Sequence, residues 1–321
     1  MVFICAFGTR TVYLSVESGI NPTRKIGIEI EFVAPIIGRG TNRDVQELLA
    51  QVLSNHGIRS CSRGYTQQPL PSDCQLAVEH DASLCDESKY RGLSWSKLEV
   101  KTAPMLWDEV ERVLPPALEI IQYVVARVNG SCGLHVHHHL PEVVHQPQTV
   151  RNLQHLWWRF HRVMYGVVAP SRQTHSYCRQ PQRDEATAFD SCTSYASVRD
   201  KVTRMERFCG LNLTNLARAD RITVEWRLHG GTTDWAKIRA WVLATQRWVE
   251  HAVKRSCHFK PDPVNNTQAG LNALLVTTGL KSNSRIYRKV SKELRQVGKY
   301  LLKRWKHFNV EELDKAAVQA A

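Results

Sequence analysis

Apolar and polar positions alternate with a period of two in three short stretches of this chain, and the polar positions carry charge or imidazole. In GIEIEF, Glu29 and Glu31 alternate with Ile28, Ile30 and Phe32; in TVEWRLHGG, Glu225 and Arg227 alternate with Val224, Trp226 and Leu228; in CGLHVHH the polar pair is His135 and His137. Successive side chains of a strand point to opposite faces, so each stretch predicts a strand with one core face and one charged face. Glu99 and Lys101 in LEVKTAP form a fourth such pair. A single pair says little, because the exposed face of an antiparallel sheet ordinarily carries charges without a function. Four pairs together with the run His135, His137, His138 and His139 say more. Carboxylates facing one cleft repel each other and resist desolvation, and a bound divalent cation is the simplest group that neutralises them. Alternation turns His138 away from His135 and His137, so it reads as a packed histidine rather than a ligand.

The remaining pattern supplies the scaffold. Residues 26–34, 76–80, 98–102, 131–140 and 222–229 read as strands, and apolar spacing of three to four predicts helices over 43–54, 150–168 and 235–255. The stripe Leu153, Leu156, Trp157 and Phe160 marks the buried face of the second helix, and Thr233 or Asp234 caps the third. Residues 107–128 also have helical spacing, with a break or a second start expected at Pro115-Pro116. The stretches 60–72 and 260–268 read as loop and linker, 170–198 as a mobile insertion or lid over the sheet, and 1–16 as an extra strand. Two helices are expected beyond the linker, through Leu271–Leu275 and along Ile286, Val290, Leu294, Val297, Leu301 and Trp305. The division that follows is an N-terminal extension over 1–25, a main domain over 26–258, and a linker with C-terminal helices over 259–321.

Composition narrows the class. With 321 residues, 43% hydrophobic and 23% charged, the chain is globular material rather than disordered or fibrous. Its apolar runs are too short for a membrane span, and its first residues lack the basic start and cleavage site of a secretory signal. Nine scattered cysteines without a CxxC pair indicate neither a disulfide framework nor a cysteine-rich zinc site, so a cytoplasmic setting is expected. They read as small buried hydrophobes and not as nucleophiles. Trp157, Trp158, Trp235, Trp241 and Trp248 fall on helix stripes and read as core. HGGTTD is explained by a strand-to-helix turn, although two glycines before a helix also suit phosphate. The formal charge of +13 is concentrated: residues 281–306 hold ten Lys or Arg against the single acid Glu293, a net +9. The favoured reading is an amphipathic helix packed on the body with a solvated cationic face; the runner-up is a nucleic-acid or other polyanion site.

Imidazole suits zinc, but glutamates dominate the candidate set, and four carboxylates with one or two histidines favour magnesium or manganese shared with phosphate oxygens. Phosphoryl transfer asks for metals and fixed cations, and Arg227 beside Glu225 is placed for that role. The ordered set GIEIEF, HDASL, LEVKTAP, NGSCGLHVHHHL, RFCGLNLTNL and TVEWRLHGGTTD resembles the amidoligase family, within the glutamine synthetase and glutamate–cysteine ligase superfamily of carboxylate–amine ligases. The resemblance runs from about Lys25 to Arg255 and departs from the family pattern at Cys132 and Trp226, neither of which is a proposed ligand.

What the resemblance implies is an α+β fold in which a curved antiparallel sheet carries the active site on its inner face and helices on its outer face. ATP and Mg2+, or Mn2+, would be used to join a carboxylate to an amine through an acyl phosphate, the substrates being small molecules, peptide or protein. Carried over residue by residue, Glu29, Glu31, Glu99, His135 and Glu225 would be metal ligands. Arg227 would meet the transferred phosphoryl group, with His137 and Arg207 near the nucleotide or acyl phosphate, and Asp81, Lys101 and Asn212 near substrate. A phosphotransferase acting on an amine or guanidine shares this metal chemistry, and a non-catalytic polyanion binder would keep the fold without it.

Overall fold

The alternating stretches pair into one seven-stranded sheet. The computed structural model describes residues 21–36, 40–64, 70–86, 94–124, 126–281 and 291–309. The strands are β1 (Ile26–Pro35), β2 (Ser60–Ser62), β3 (Leu76–His80), β4 (Trp95–Thr102), β5 (Gly133–His139), β6 (Leu211–Asn212) and β7 (Thr223–Gly230). Their order in the sheet is β2-β3-β4-β1-β5-β7-β6. All neighbours run antiparallel except β2 and β3, which are parallel. The helices are α1 (Asn42–Asn55), α2 (Trp107–Tyr123), α3 (Gln148–Gly166), α4 (Pro170–Gln173), α5 (Tyr195–Val202), α6 (Trp235–Lys254), α7 (Gln268–Thr277) and α8 (Lys292–Phe308). The fold is α+β.

The apolar strand positions face a helical layer and form one core. Ile28, Ile30 and Phe32 of β1, Leu98 and Val100 of β4, Leu134 and Val136 of β5 and Val224 and Trp226 of β7 are all buried in it, with residues of α1, α2, α3 and α6. Trp157 of α3, Trp226 of β7 and Trp248 of α6 meet edge to face, with centroids 5.2 to 6.1 Å apart, an arrangement aromatic rings prefer to face-to-face stacking. Trp235, expected in the core, is only partly buried and stacks on Trp107.

Several expectations change. Pro115 and Pro116 do not break α2, which runs through both. Neither proline is on the buried face of the helix, so the carbonyls of Glu111 and Arg112 that lose their donors are not sealed in the core. The stretch 60–72 is not all loop, since Ser60–Ser62 forms β2. Residues 170–198 do not form a loose cover: Arg172, Cys178, Ala186 and Phe189 are almost fully buried, and this segment is built into the body through α4 and the start of α5. Among the cysteines, Cys85 is exposed and Cys61 and Cys257 are partly so. The expected strand over 1–16 and the stripe positions Ile286 and Val290 lie outside the described residues.

A buried ion network secures the entry to β1. Arg24, 3% exposed, pairs with Glu250 of α6 at 2.6 Å and Glu142 at 2.8 Å, and donates to the His139 carbonyl. Removing one member of such a network strands the others without compensation. Arg24→Ala is expected to lower the unfolding free energy by about 3–5 kcal/mol in urea titration.

Two histidines on the core side of the sheet are buried as neutral groups. His138 is 0% exposed and its Nε2 lies 2.8 Å from Thr245 Oγ1; His229 is 1% exposed, with Nε2 2.8 Å from Tyr300 Oη. Burial, then nearby cations, holds both well below the ordinary histidine range. The unfolded chain, titrating near 6.5, therefore binds more protons in the window just below that pH. These two histidines add no pH dependence above pH 7 and lower stability below about 6.5, by up to roughly 1.4 kcal/mol per pH unit for each of them. Urea unfolding from pH 7.5 to 5.5 measures the slope, which His138→Gln should reduce.

Candidate active site

Strand register assembles the polar face. Glu31 of β1 sits opposite Glu99 of β4, and Glu99 opposite Glu79 of β3, giving a row of three carboxylates across three strands. One step along, Lys101, Glu29 and His135 form the adjacent row on β4, β1 and β5. His137 of β5, Glu225 of β7 and Asn212 of β6 form a third. Directly opposite side chains in a sheet are about 4.5–5.5 Å apart at Cβ, and like charges there are destabilising. The register thus places the sequence-predicted residues together and creates the repulsion that must be answered.

All residues of these rows except the buried Glu79 line a cleft of about 670 Å³. Glu29, Glu31, Glu99, His135, Glu225, His137, Arg227, Arg207, Asp81, Lys101 and Asn212 all line it. His135 lies at the centre, with Nδ1 3.2 Å from Glu29 and 3.8 Å from Glu225, and Nε2 3.4 Å from Glu31. Two sets of three offer ligand atoms all within 4.8 Å of one another: Glu29, His135 and Glu225, and Glu31, Glu99 and His135. His137 Nε2 is 3.3 Å from Glu29 and 4.0 Å from Glu225, and is buried without a hydrogen-bond partner.

The charges around the cluster are arranged unequally. Burial works against the charge of Glu29, but His137, His135 and Lys101 outweigh it and hold this carboxyl well below its usual range. Glu99 goes the other way: burial, then Glu29 and Glu31, push it well above that range despite Lys101. Glu225 is also buried, yet Arg227 and His137 lower it. His137 resists burial because Glu225 and Glu29 raise it. Lys101 bridges Glu99 at 2.8 Å and Glu79 at 3.1 Å, and Arg63 holds the other oxygen of Glu79 at 2.9 Å. A cluster of buried carboxylates and an imidazole, one member driven toward its protonated form by the others, fits a hard divalent cation, whose charge removes that repulsion.

Neighbouring segments orient these side chains. The Gly133 amide donates to Glu31 Oε2 at 2.5 Å, and a Cβ at Gly133 would lie 2.8 Å from His135 Nε2 and 3.1 Å from Arg172, so this close approach requires glycine. Asn212 donates to Glu225 Oε2 at 2.7 Å. Arg227 donates to Glu225 and, through Nε, to the Tyr177 carbonyl at 3.2 Å. The pairing of β5 with β7 shifts between Leu134 and Val136, so two β7 residues stand opposite His135. This bulge leaves Glu225 and Arg227 on the cleft side and turns His229 to the core, where simple alternation would have kept it beside Arg227.

Sequence reasoning missed Glu79, Arg63, Arg172 and the wall formed by Tyr177 and Phe208, whose rings meet edge to face at 4.9 Å. Glu79 had a signal, an acid in the otherwise apolar LAVEH. Arg172 had none, because it reaches the back of the site from α4, donating to the Arg227 carbonyl at 2.7 Å.

The chain is also similar to known proteins. Residues 22–249 match the family described as "Putative amidoligase enzyme". Among curated proteins none matches the chain. Solved structures with similarity include a bifunctional glutathione synthetase from Pasteurella multocida, at 13% identity and a TM-score of 0.45, covering 92% of this chain and 49% of that one. Another is the complex between the prokaryotic ubiquitin-like protein Pup and its ligase PafA, at 11% identity and a TM-score of 0.36, covering 92% of this chain and 65% of that one. The present chain thus spans about half the length of the synthetase and about two thirds of the Pup-complex chain. The family match extends over most of the chain. The chain belongs to this amidoligase family.

Metal binding has a direct readout in thermal unfolding. A cation that binds only the folded state stabilises it by about 2.7 kcal/mol at a hundredfold excess over Kd. Millimolar Mg2+ or Mn2+ should raise the melting midpoint of EDTA-treated protein. His135→Ala should lose the whole rise, since His135 belongs to both sets, and Glu31→Gln only part of it.

Proposed function

We propose that the protein joins a carboxylate to an amine at the expense of ATP, through an acyl phosphate. The observation that carries this reading is the convergence of Glu29, Glu31, Glu99, His135 and Glu225 on one floor of one cleft, with Arg227 beside them. Magnesium or manganese bound by these residues would draw charge from the ATP phosphates. Glu29 with Glu225, and Glu31 with Glu99, would supply the carboxylates for the ions, with His135 completing one set or the other through a single ring nitrogen.

The chain's own residues then have separable tasks. Arg227 spends one donor on Glu225 and its Nε on the Tyr177 carbonyl, leaving the rest of its five-donor fork for oxygens of the transferring phosphoryl group. Asn212 fixes the Glu225 carboxylate, and Lys101, clamped between Glu79 and Glu99, supplies a permanent cation at the edge of the cluster. His137 and Arg207 would face nucleotide or acyl phosphate. Asp81, at the end of β3 with Oδ1 accepting from the Ser83 amide at 2.8 Å, is placed to attract a cationic amine. The substrate carboxylate attacks the γ-phosphorus and ADP leaves; the amine then attacks the acyl carbon and phosphate leaves. Water competes with the amine for the acyl phosphate, and the Tyr177 and Phe208 rings that line the cleft would narrow its access. Carboxylate and amine could each be free or borne on a peptide or protein.

Incubation with ATP, Mg2+ and pools of amino acids and polyamines should release ADP and phosphate together with an amide detectable by mass spectrometry. Glu29→Gln should reduce ADP release at least a hundredfold, a rough figure for loss of an electrostatic element acting in the transition state. Unchanged turnover in that variant would refute the assignment, and a phosphorylated product in place of an amide would make the protein a phosphotransferase.

A further inference from the structure

The cationic C-terminal helix is not absorbed by the site on the sheet. Leu294, Val297, Leu301 and Trp305 bury the apolar stripe of α8, largely against α6. The opposite face carries Lys292, Arg295, Lys299, Lys303 and Lys306, all exposed and spaced by three or four residues. At a rise of 1.5 Å per residue they form one line about 21 Å long. None of the five has an ion pair among the described residues, whereas the single acid of the helix, Glu293, is held by Arg239 on the other side. A line of cations with no acid of its own is complementary to a linear polyanion.

Flanking this line along α8, and sharing Lys303 with it, lies a groove of about 690 Å³ between α8 and the start of α6, distinct from the cleft on the sheet. Its acids are matched, Asp234 by Lys237 at 3.3 Å and Glu293 by Arg239. Its cations Lys303 and Arg304 are in excess. Arg304 is fixed by the Val167 carbonyl at 2.7 Å, and its guanidinium stacks over Tyr300 and Phe308, 5.7 and 5.0 Å from the ring centroids. A backbone-tracking row of cations beside stacked rings and guanidinium is the combination that binds single-stranded nucleic acid, phosphates on the former and bases on the latter. A membrane is the poorer fit, because the exposed large apolar side chains among the described residues are all outside α8.

We propose that α8 and its flanking groove bind single-stranded nucleic acid, with Lys292, Arg295, Lys299, Lys303 and Lys306 on the phosphates and Phe308 with Arg304 against bases. This stands independently of the ligase reading.

Fluorescence anisotropy with labelled oligo-dT and oligo-rA, on the full chain and over a range of salt, tests it. The wild type should bind, and Lys299→Gln, Lys303→Gln and Lys306→Gln combined should weaken binding roughly tenfold or more and flatten the log–log salt slope by about 2. Phe308→Ala should weaken oligonucleotide binding about tenfold while leaving the salt slope and heparin binding unchanged. Circular dichroism melts confirm that both variants fold. Absence of binding at low salt, indifference to the triple variant, indifference to Phe308→Ala, or equal binding to anionic vesicles or polyglutamate would each overturn the proposal.

Discussion

Repulsion among carboxylates held side by side on neighbouring strands is the constraint that organises this molecule. Glu31, Glu99 and Glu79 face one another across three strands, and Glu29 and Glu225 lie close enough to share His135. In a plain sheet such a face would be turned to water, where ions and solvent screen it. Here it is largely buried, and Lys101, Arg63, Arg227 and the two imidazoles answer part of the charge. The remaining imbalance is visible in Glu29, drawn despite its burial below the usual carboxylate range by its cationic neighbours, and Glu99, pushed above it by burial and by Glu29.

The other face of the sheet makes such a floor affordable. Every second residue of β1, β4, β5 and β7 enters a core sealed by α1, α2, α3 and α6, so the strands cannot slip by one residue without exposing that core and burying the acids. Arg24 ties the start of β1 to α6 and to Glu142, which fixes the central strand along its length. The bulge in β7 then adjusts a single strand: it keeps Glu225 and Arg227 over the cleft and gives His229 to the helical side, where Tyr300 of α8 receives it. The polar floor of the cleft and the C-terminal helix thus meet through opposite faces of one strand.

Where pattern and structure part, the reason is tertiary. Pro115-Pro116 signals a helix break because proline cannot donate, yet α2 absorbs both off its buried face. The polar, aperiodic stretch 170–198 looks loose because its burial has no period. It is pinned by isolated, almost fully buried residues such as Arg172, Cys178 and Phe189, with Arg172 bonded to the Arg227 carbonyl and Cys178 to the Arg172 carbonyl. In the same way Arg172 gave no local signal, whereas Glu79 stood out as an acid in an apolar strand.

By itself the sequence determined five of the seven strands, the two-faced character of β1, β4, β5 and β7 and most of the charged residues and imidazoles on the polar floor, because alternation is a local property of an extended backbone that needs no knowledge of neighbours. Only the tertiary structure decided which strands lie adjacent, and hence that His135 stands between Glu29, Glu31 and Glu225 rather than near one of them. It also decided the β7 bulge, the parallel edge strand β2, the Glu79–Lys101–Glu99 chain and the orientation of α8. Each depends on register and packing between segments remote in sequence, and distance along the chain carries no record of them.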